Sequence, residues 1–184
     1  DLRKVLWHYA LPQHREELNW MLQWVREANA LLEVGTSFGG NLAQMAAVMK
    51  KGAKIVSVDL AIDETPEFLN PLPSLKETCR QIAALGASVE LFIGNSHSQQ
   101  VVDVVSNYAP YDFIFIDGDH TYEGVKADFE NYGPLGSIVA FHDISAVPEV
   151  NRFWNELKQS GKYKHDEYVA EVNPFGIGVV FMES

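Results

Sequence analysis

The chain has 184 residues, of which 14 are Lys or Arg and 25 are Asp or Glu, giving a formal net charge of −11. At about 150 residues per domain, this length predicts one domain over residues 1–184, with an N-terminal helical cap region at 1–30. The acidic balance argues against a nucleic-acid partner, because neutralising phosphates needs many Lys and Arg side chains. It favours a small-molecule partner and leaves a homo-oligomer open.

Apolar runs and the cysteine count exclude further classes of protein. No apolar run approaches the roughly 20 residues of a membrane-spanning helix, so no membrane partner is expected. Cys79 is the only cysteine, which excludes an internal disulfide and a cysteine-rich zinc site. No segment reads as a secretory signal peptide, and together with the lone thiol this favours a cytoplasmic location.

Apolar strands and amphipathic helices alternate along the chain. Residues 112–116 form an almost continuous apolar run, the pattern of a strand buried on both faces. This alternation predicts an α/β fold with a mainly parallel sheet, closed by an antiparallel pair near the C-terminus. A proline-rich stretch at 61–73 has no clear period and is predicted to be a functional loop. The predicted helices are 16–31, 42–50, 74–85 (with Ser74 as the N-cap), 99–107, 122–132 and 147–159, and the predicted strands are 31–34, 54–58, 89–93, 112–116, 137–141, 163–169 and 177–182.

Each of the first five strands ends in small or polar residues. The carboxyl ends of parallel strands form the ligand crevice of an open α/β sheet. The sequence therefore predicts one rim that carries Gly35, Asp59, Asn95, Asp117 and Asp143.

The turn after the first strand and the acid after the second indicate a nucleoside ligand. Gly35 and Gly39 give the backbone freedom to pack closely against a ligand. Asp59 follows Gly39 by 20 residues, where an acidic side chain can accept bonds from both ribose hydroxyls. Ser37 stands where the dinucleotide fingerprint has its second glycine, which argues against a pyrophosphate. The pattern predicts an adenosine-containing ligand without phosphates, with a plain turn and a turn-capping aspartate as the alternatives.

Four segments resemble class I S-adenosylmethionine-dependent methyltransferases. Residues 31–40 (LLEVGTSFGG) are similar to the first motif of that class, and residues 57–60 (SVDL) to the second. The more specific segments 115–125 (FIDGDHTYEGV) and 140–144 (AFHDI) resemble the branch of macrocin O-methyltransferase and the cephalosporin hydroxylase-like proteins. The resemblance implies a Rossmann-like three-layer sandwich with a mostly parallel seven-stranded sheet, and S-adenosylmethionine as the cofactor.

The resemblance also implies roles for residues of the rim. Gly35 and Gly39 would face the methionine portion of the cofactor, Asp59 would bind the ribose, and Asn95 and Ser96 would lie beside the adenine. The full set implied to bind the cofactor is Glu33, Gly35, Thr36, Ser37, Phe38, Gly39, Asp59, Leu60, Asn95, Ser96 and Asp117.

The catalytic residues implied by the resemblance are Asp117, His120, His142 and Asp143. Asp117, His142 and Asp143 match the positions at which metal-dependent relatives hold Mg²⁺ through oxygen ligands. His142 departs from that pattern, because imidazole is a poor ligand for Mg²⁺. His120 is the candidate general base for a substrate hydroxyl, with ordering of its turn as the alternative, and Asp119 is predicted to cap the next helix.

Three functions remain open from the sequence. The leading hypothesis is methyl transfer from S-adenosylmethionine to a hydroxyl of a small molecule, of the sugar or natural-product type. The second is a metal-dependent hydrolase or hydroxylase-like enzyme that uses Asp117, His142 and Asp143, although no hydrolase spacing such as His-Glu-x-x-His is present. The third is a non-catalytic cofactor-binding domain with Phe153, Trp154 and the aromatic N-terminal helix at a protein interface.

Overall fold

The computed structural model describes residues 15–61, 72–172 and 174–183. Helices and strands alternate through these ranges, as the apolar patterns predict. Residues 1–14 of the predicted cap region, most of the predicted loop at 61–73, and residues 173 and 184 lie outside the described residues. The helices are α1 (Arg15–Val25), α2 (Gly40–Val48), α3 (Leu72–Ala84), α4 (Gln99–Ser106), α5 (Tyr122–Tyr132) and α6 (Pro148–Ser160), and the strands are β1 (Ala30–Val34), β2 (Lys54–Asp59), β3 (Ser88–Ile93), β4 (Tyr111–Ile116), β5 (Gly136–Phe141), β6 (Lys164–Tyr168) and β7 (Ile177–Phe181).

The seven strands form one sheet in the order β3-β2-β1-β4-β5-β7-β6. The pairs among β1 to β5 are parallel, whereas β7 is antiparallel to both β5 and β6. This confirms the Rossmann-like α/β fold with a closing antiparallel pair. The chain moves outward from β1 to β3 and then returns to β4 beside β1, so the carboxyl ends of β1 and β4 meet where the strand order reverses. Ligands of open α/β sheets bind at such a switch point.

Helices cover both faces of the sheet. Successive strand residues point to opposite faces, so Leu31 and Leu32, both fully buried, belong to two separate cores. One core packs the sheet against α4, α5 and α6, and the other packs it against α1, α2 and α3. The result is the expected three-layer arrangement.

Several boundaries differ from the sequence prediction. Helix α1 ends at Val25, six residues before the predicted end, because the chain must turn before β1 begins at Ala30. Ser74 is not the N-cap of α3, since that helix already begins at Leu72. Strand β3 is exposed or half-buried along its whole length, because it forms an edge of the sheet.

Two findings bear on possible partners. Phe153 and Trp154 are 3% and 1% exposed and pack inside the core, so the idea that they form a protein interface is wrong. Among the described residues, no helix combines the length and apolar character needed to cross a membrane.

Candidate functional site

A cleft of about 700 Å³ opens at the carboxyl ends of β1, β2, β3 and β4. Nine of the predicted site residues line it, and what each of them binds stays a prediction. They are Gly35, Ser37, Phe38, Asp59, Leu60, Asn95, Ser96, Asp117 and His120. Glu33, Thr36, Gly39, His142 and Asp143 do not line the cleft but lie below or beside it.

The turn after β1 depends on two glycines because of close contacts within the chain. Gly35 has φ +84°, and a Cβ there would lie 2.1 Å from the backbone carbonyl oxygen of Asp117. Gly39 has φ +85°, and its Cβ would lie 2.9 Å from Thr78 on α3. The missing side chains therefore let the turn pack against the chain itself, with Gly35 still facing the cleft.

Asp59 holds two loops together at the end of β2. One carboxylate oxygen accepts a hydrogen bond from the backbone N–H of Ser37 at 2.6 Å, and the other accepts from the N–H of Ala61 at 2.7 Å. An ionised carboxylate has about four acceptor positions. Because Asp59 also lines the cleft, two acceptor positions remain for a bound ligand.

Glu33 and Thr36 lie under the floor of the cleft. Burial, and then the negative charge of Asp117, raise the pKa of Glu33 well above its ordinary value. This shift favours the neutral form of the carboxyl group, because a charged one would lose its hydration without gaining a cation. The hydroxyl of Thr36 lies 2.8 Å from that of Ser57 on β2, which ties the turn to the neighbouring strand.

A cluster of two acids and two histidines lies at the end of the cleft near β4 and β5, and of its members Asp117 and His120 line the cleft. One oxygen of Asp117 lies 3.2 Å from Nε2 of His120 and 3.0 Å from Nδ1 of His142. Nε2 of His120 also lies 3.5 Å from Oδ2 of Asp143. His142 is buried and its ring stacks on Phe175, whereas the side chain of His120 is 45% exposed. His120 is therefore the member of the pair that a ligand can reach.

Contacts within the cluster shift the pKa values of its acids and histidines. Burial tends to raise the pKa of Asp117, but hydrogen bonds with His120 and His142 hold that pKa below its ordinary value. The same contact with Asp117 raises the pKa of His120. For His142, burial lowers the pKa but the contact with Asp117 outweighs it, so the net shift is upward. Burial raises the pKa of Asp143.

The same cluster is the candidate metal site among the described residues. Ligand atoms of Asp117, His120 and Asp143 all lie within 4.8 Å of one another. In this group His120 stands in place of His142, which was predicted together with Asp117 and Asp143. Both histidines offer imidazole nitrogen where Mg²⁺ prefers oxygen. The donors therefore fit Mg²⁺ poorly.

Backbone strain is concentrated at this site. Among the described residues, the non-glycine residues with positive φ are Ser37, Ala61 and Asp143, with φ of +51°, +44° and +60°. Ser37 and Ala61 donate backbone hydrogen bonds to Asp59, and Asp143 belongs to the histidine cluster. Such conformations cost on the order of 1–3 kcal/mol each and persist only where the surroundings impose them.

Asp119 and His97 show where sequence reasoning was incomplete. Asp119 is not the cap of α5: the N-cap is Thr121, whose hydroxyl accepts from the N–H of Gly124. The carboxylate of Asp119 instead accepts from the N–H of Thr121 at 2.9 Å. His97 lines the cleft but was not predicted, because it lies in a loop with no motif.

Comparisons with known proteins give one family. A family model described as "Methyltransferase domain" matches residues 32–144, more than half of the chain. An uncharacterised protein of Acanthamoeba polyphaga mimivirus is 28% identical over 144 residues, which cover 72% of this chain. The chain spans 62% of the length of that viral relative.

Solved structures of low identity share the fold. An O-methyltransferase from Bacillus cereus, solved in complex with SAH, is 17% identical with a TM-score of 0.69, covering 98% of this chain and 89% of its own. The O-methyltransferase TomG from Streptomyces achromogenes, solved in complex with SAM, is 16% identical with a TM-score of 0.69. The match covers 95% of this chain and 82% of the TomG chain. At such identities the likeness concerns the fold alone. With the match over residues 32–144, the chain belongs to the methyltransferase domain family.

Proposed function

We propose that the chain is an S-adenosylmethionine-dependent methyltransferase that acts on a hydroxyl group of a small molecule, of the sugar or natural-product type. The observation that carries this proposal is the single cleft that joins Asp59 to the cluster of Asp117 and His120. An acid suited to a ribose and a basic imidazole suited to a reacting hydroxyl thus face the same space. The SAH and SAM complexes of the two solved O-methyltransferases support the choice of cofactor.

The residues that would hold the cofactor follow the order of the strands. Asp59, at the end of β2, has acceptor positions left for the two ribose hydroxyls. Asn95 and Ser96, in the loop after β3, would lie beside the base. Gly35 and Phe38 would face the methionine end, where an aromatic ring attracts a desolvated cation. The cofactor would supply an activated methyl group on a sulfonium sulfur.

His120 would accept the proton of the substrate hydroxyl. Its Nε2 lies against the carboxylate of Asp117, so in the neutral form the proton on Nε2 points to Asp117 and Nδ1 is left as the basic nitrogen. Asp117 would orient the ring and stabilise the imidazolium that forms. His142, buried behind Asp117, would hold that carboxylate in place rather than contact the substrate. Much of the acceleration would come from aligning the hydroxyl with the methyl group.

The metal-dependent hydrolase hypothesis is not favoured by this family and fold. The observation on its side is the group of ligand atoms from Asp117, His120 and Asp143. A hydrolase of this kind would hold a metal ion through these residues without needing a nucleoside. Metal analysis of the purified protein therefore separates the two functions.

Calorimetric titration with S-adenosylhomocysteine tests the proposal. We expect the wild type to bind, and Asp59→Ala to bind at least about tenfold more weakly, because it loses charge-assisted contacts to the ribose. A tritium-transfer assay from S-adenosylmethionine to a panel of hydroxylated acceptors then tests the reaction. Failure of the wild type to bind S-adenosylhomocysteine, with metal bound in equal molar amount to the protein, would refute the proposal in favour of the hydrolase.

A further inference from the structure

A second buried acid lies outside the histidine cluster, beneath the wall of the cleft. Asp128 is on α5 and is 0% exposed. Its Oδ1 lies 3.2 Å from Nε2 of His97, whose side chain is 28% exposed and lines the cleft. Neither carboxylate oxygen has a well-aligned hydrogen-bond donor among the described residues. The imidazole of His97 and the side chain of Ser96, which both line the cleft, are thus the polar groups that Asp128 meets on that side.

Helix α5 supports the same loop at a second point. Tyr132, one helical turn after Asp128, donates its hydroxyl proton to the backbone oxygen of Ser96 at 2.6 Å. The loop is also closed locally, since the N–H of His97 donates to Oδ1 of Asn95 at 2.8 Å. Burial raises the pKa of Asp128, and contacts with Ser96 and His97 offset this only in part. The inner face of α5 therefore fixes the loop and the ring that projects from it.

The position of this loop along the cleft identifies the part of the ligand that it meets. In the sheet, β3 lies beyond β2, on the side away from β4. The histidine cluster at β4 and β5 marks the reacting end of the cleft, and Asp59 at β2 marks the ribose. The loop after β3 is consequently the wall at the far end of the nucleoside, where its base would lie.

We propose that Asp128 is a positioning residue that acts through His97 to orient the imidazole wall at the base end of the cofactor site. This inference rests on the proposed function, because it takes the ligand to be a nucleoside. Asp128 touches neither the substrate nor the reacting atoms. Its removal leaves the ring of His97 free to rotate, and ordering that ring on binding then costs affinity.

Calorimetry on a double-mutant cycle tests the proposal without any methyl acceptor. The titrants are S-adenosylhomocysteine and 5′-methylthioadenosine, which lacks the amino-acid portion, and the variants are Asp128→Asn, His97→Ala and their combination. We expect each single variant to weaken both ligands about tenfold, and the double variant to be no weaker than His97→Ala alone. Glu130→Gln, which makes the same charge change on the exposed face of α5, should bind like the wild type.

The possible outcomes separate this inference from the proposed function. If the wild type binds neither ligand, both the proposed function and this inference are refuted. A wild type that binds, with Asp128→Asn unchanged or with fully additive losses in the double variant, would overturn the inference alone, since Asp128 would then not act through His97. If Asp128→Asn does not fold in a melting experiment, His97→Ala decides: a tenfold loss at an unchanged melting temperature supports the proposal, and unchanged affinity overturns it.

Discussion

Gly35 and Gly52 have the same backbone conformation in different surroundings, and alanine at each gives different expected results. Their φ angles are +84° and +83°. A Cβ on Gly35 would lie 2.1 Å from the carbonyl oxygen of Asp117 and 2.4 Å from Cα of Gly118, whereas a Cβ on Gly52 would meet no atom within 4 Å. Both substitutions place alanine in a left-handed conformation, but only Gly35→Ala also pushes two strands apart.

The expected free-energy difference follows from this geometry. A left-handed alanine costs about 1–2 kcal/mol at either position. At Gly35 the contacts are with backbone atoms, which cannot rotate away, so the overpacking cost lies near the upper end of its usual range, about 3 kcal/mol. For a domain of this size each kcal/mol corresponds to about 2–4 °C in melting temperature. We therefore expect Gly35→Ala to melt roughly 6–12 °C below Gly52→Ala.

Thermal and urea unfolding of the two variants measure this difference, and calorimetry with S-adenosylhomocysteine measures its consequence for the cleft. Gly35→Ala should lose most of its affinity, because it moves the turn at Asp117 and Gly118 away from β1. Gly52→Ala should bind like the wild type, since Gly52 lies outside the cleft. Equal stability of the two variants would refute the packing assigned to Gly35.

Further predictions concern a buried acid on α1, the candidate base and the metal. Glu17→Ala should lower the free energy of unfolding by about 2–5 kcal/mol, because it leaves two buried N–H donors unpaired. The fully buried carboxylate of Glu17 accepts hydrogen bonds from the N–H groups of Ala170 and Gly176, both at 2.9 Å. Urea unfolding measures this loss. Contact with Asp117 raises the pKa of His120, and His120 must be deprotonated to act as the base. The value of kcat/KM should therefore rise with pH through a pKa above the ordinary histidine value. Asp117→Asn should move this rise to lower pH. Treatment with a chelator should leave methyl transfer and S-adenosylhomocysteine affinity unchanged, and a loss restored by Mg²⁺ would contradict a metal-free mechanism.

The sheet was predictable because apolar runs report burial and neighbouring parallel strands must align their carboxyl ends. That rule alone places Asp59, Asn95 and Asp117 at one edge of the sheet, and all three line the cleft. The exposure of β3 could not be predicted in the same way, because it follows from the position of this strand at an edge of the sheet. Edge position depends on strand order, which local sequence does not encode.

The remaining parts of the site depend on contacts between distant segments. His97 is fixed by Asp128, which lies 31 residues later on a helix packed beneath the loop. His120 and His142 carry the same side chain, and only the packing of His142 against Phe175 shows which of the two is buried. The glycines of the first turn stand out in the sequence, but their contacts do not: Gly35 meets the backbone of Asp117 and Gly118 just after β4, and Gly39 meets the side chain of Thr78 on α3. A pattern of residue types cannot supply these distances.

A crystal structure with S-adenosylhomocysteine tests the central claim most directly. The account predicts the ribose hydroxyls on the carboxylate of Asp59, the base against the loop of residues 94–97, and the sulfur at the end of the cleft near His120. A ligand bound elsewhere on the chain, or bound in the opposite direction with its base at His120, would contradict it.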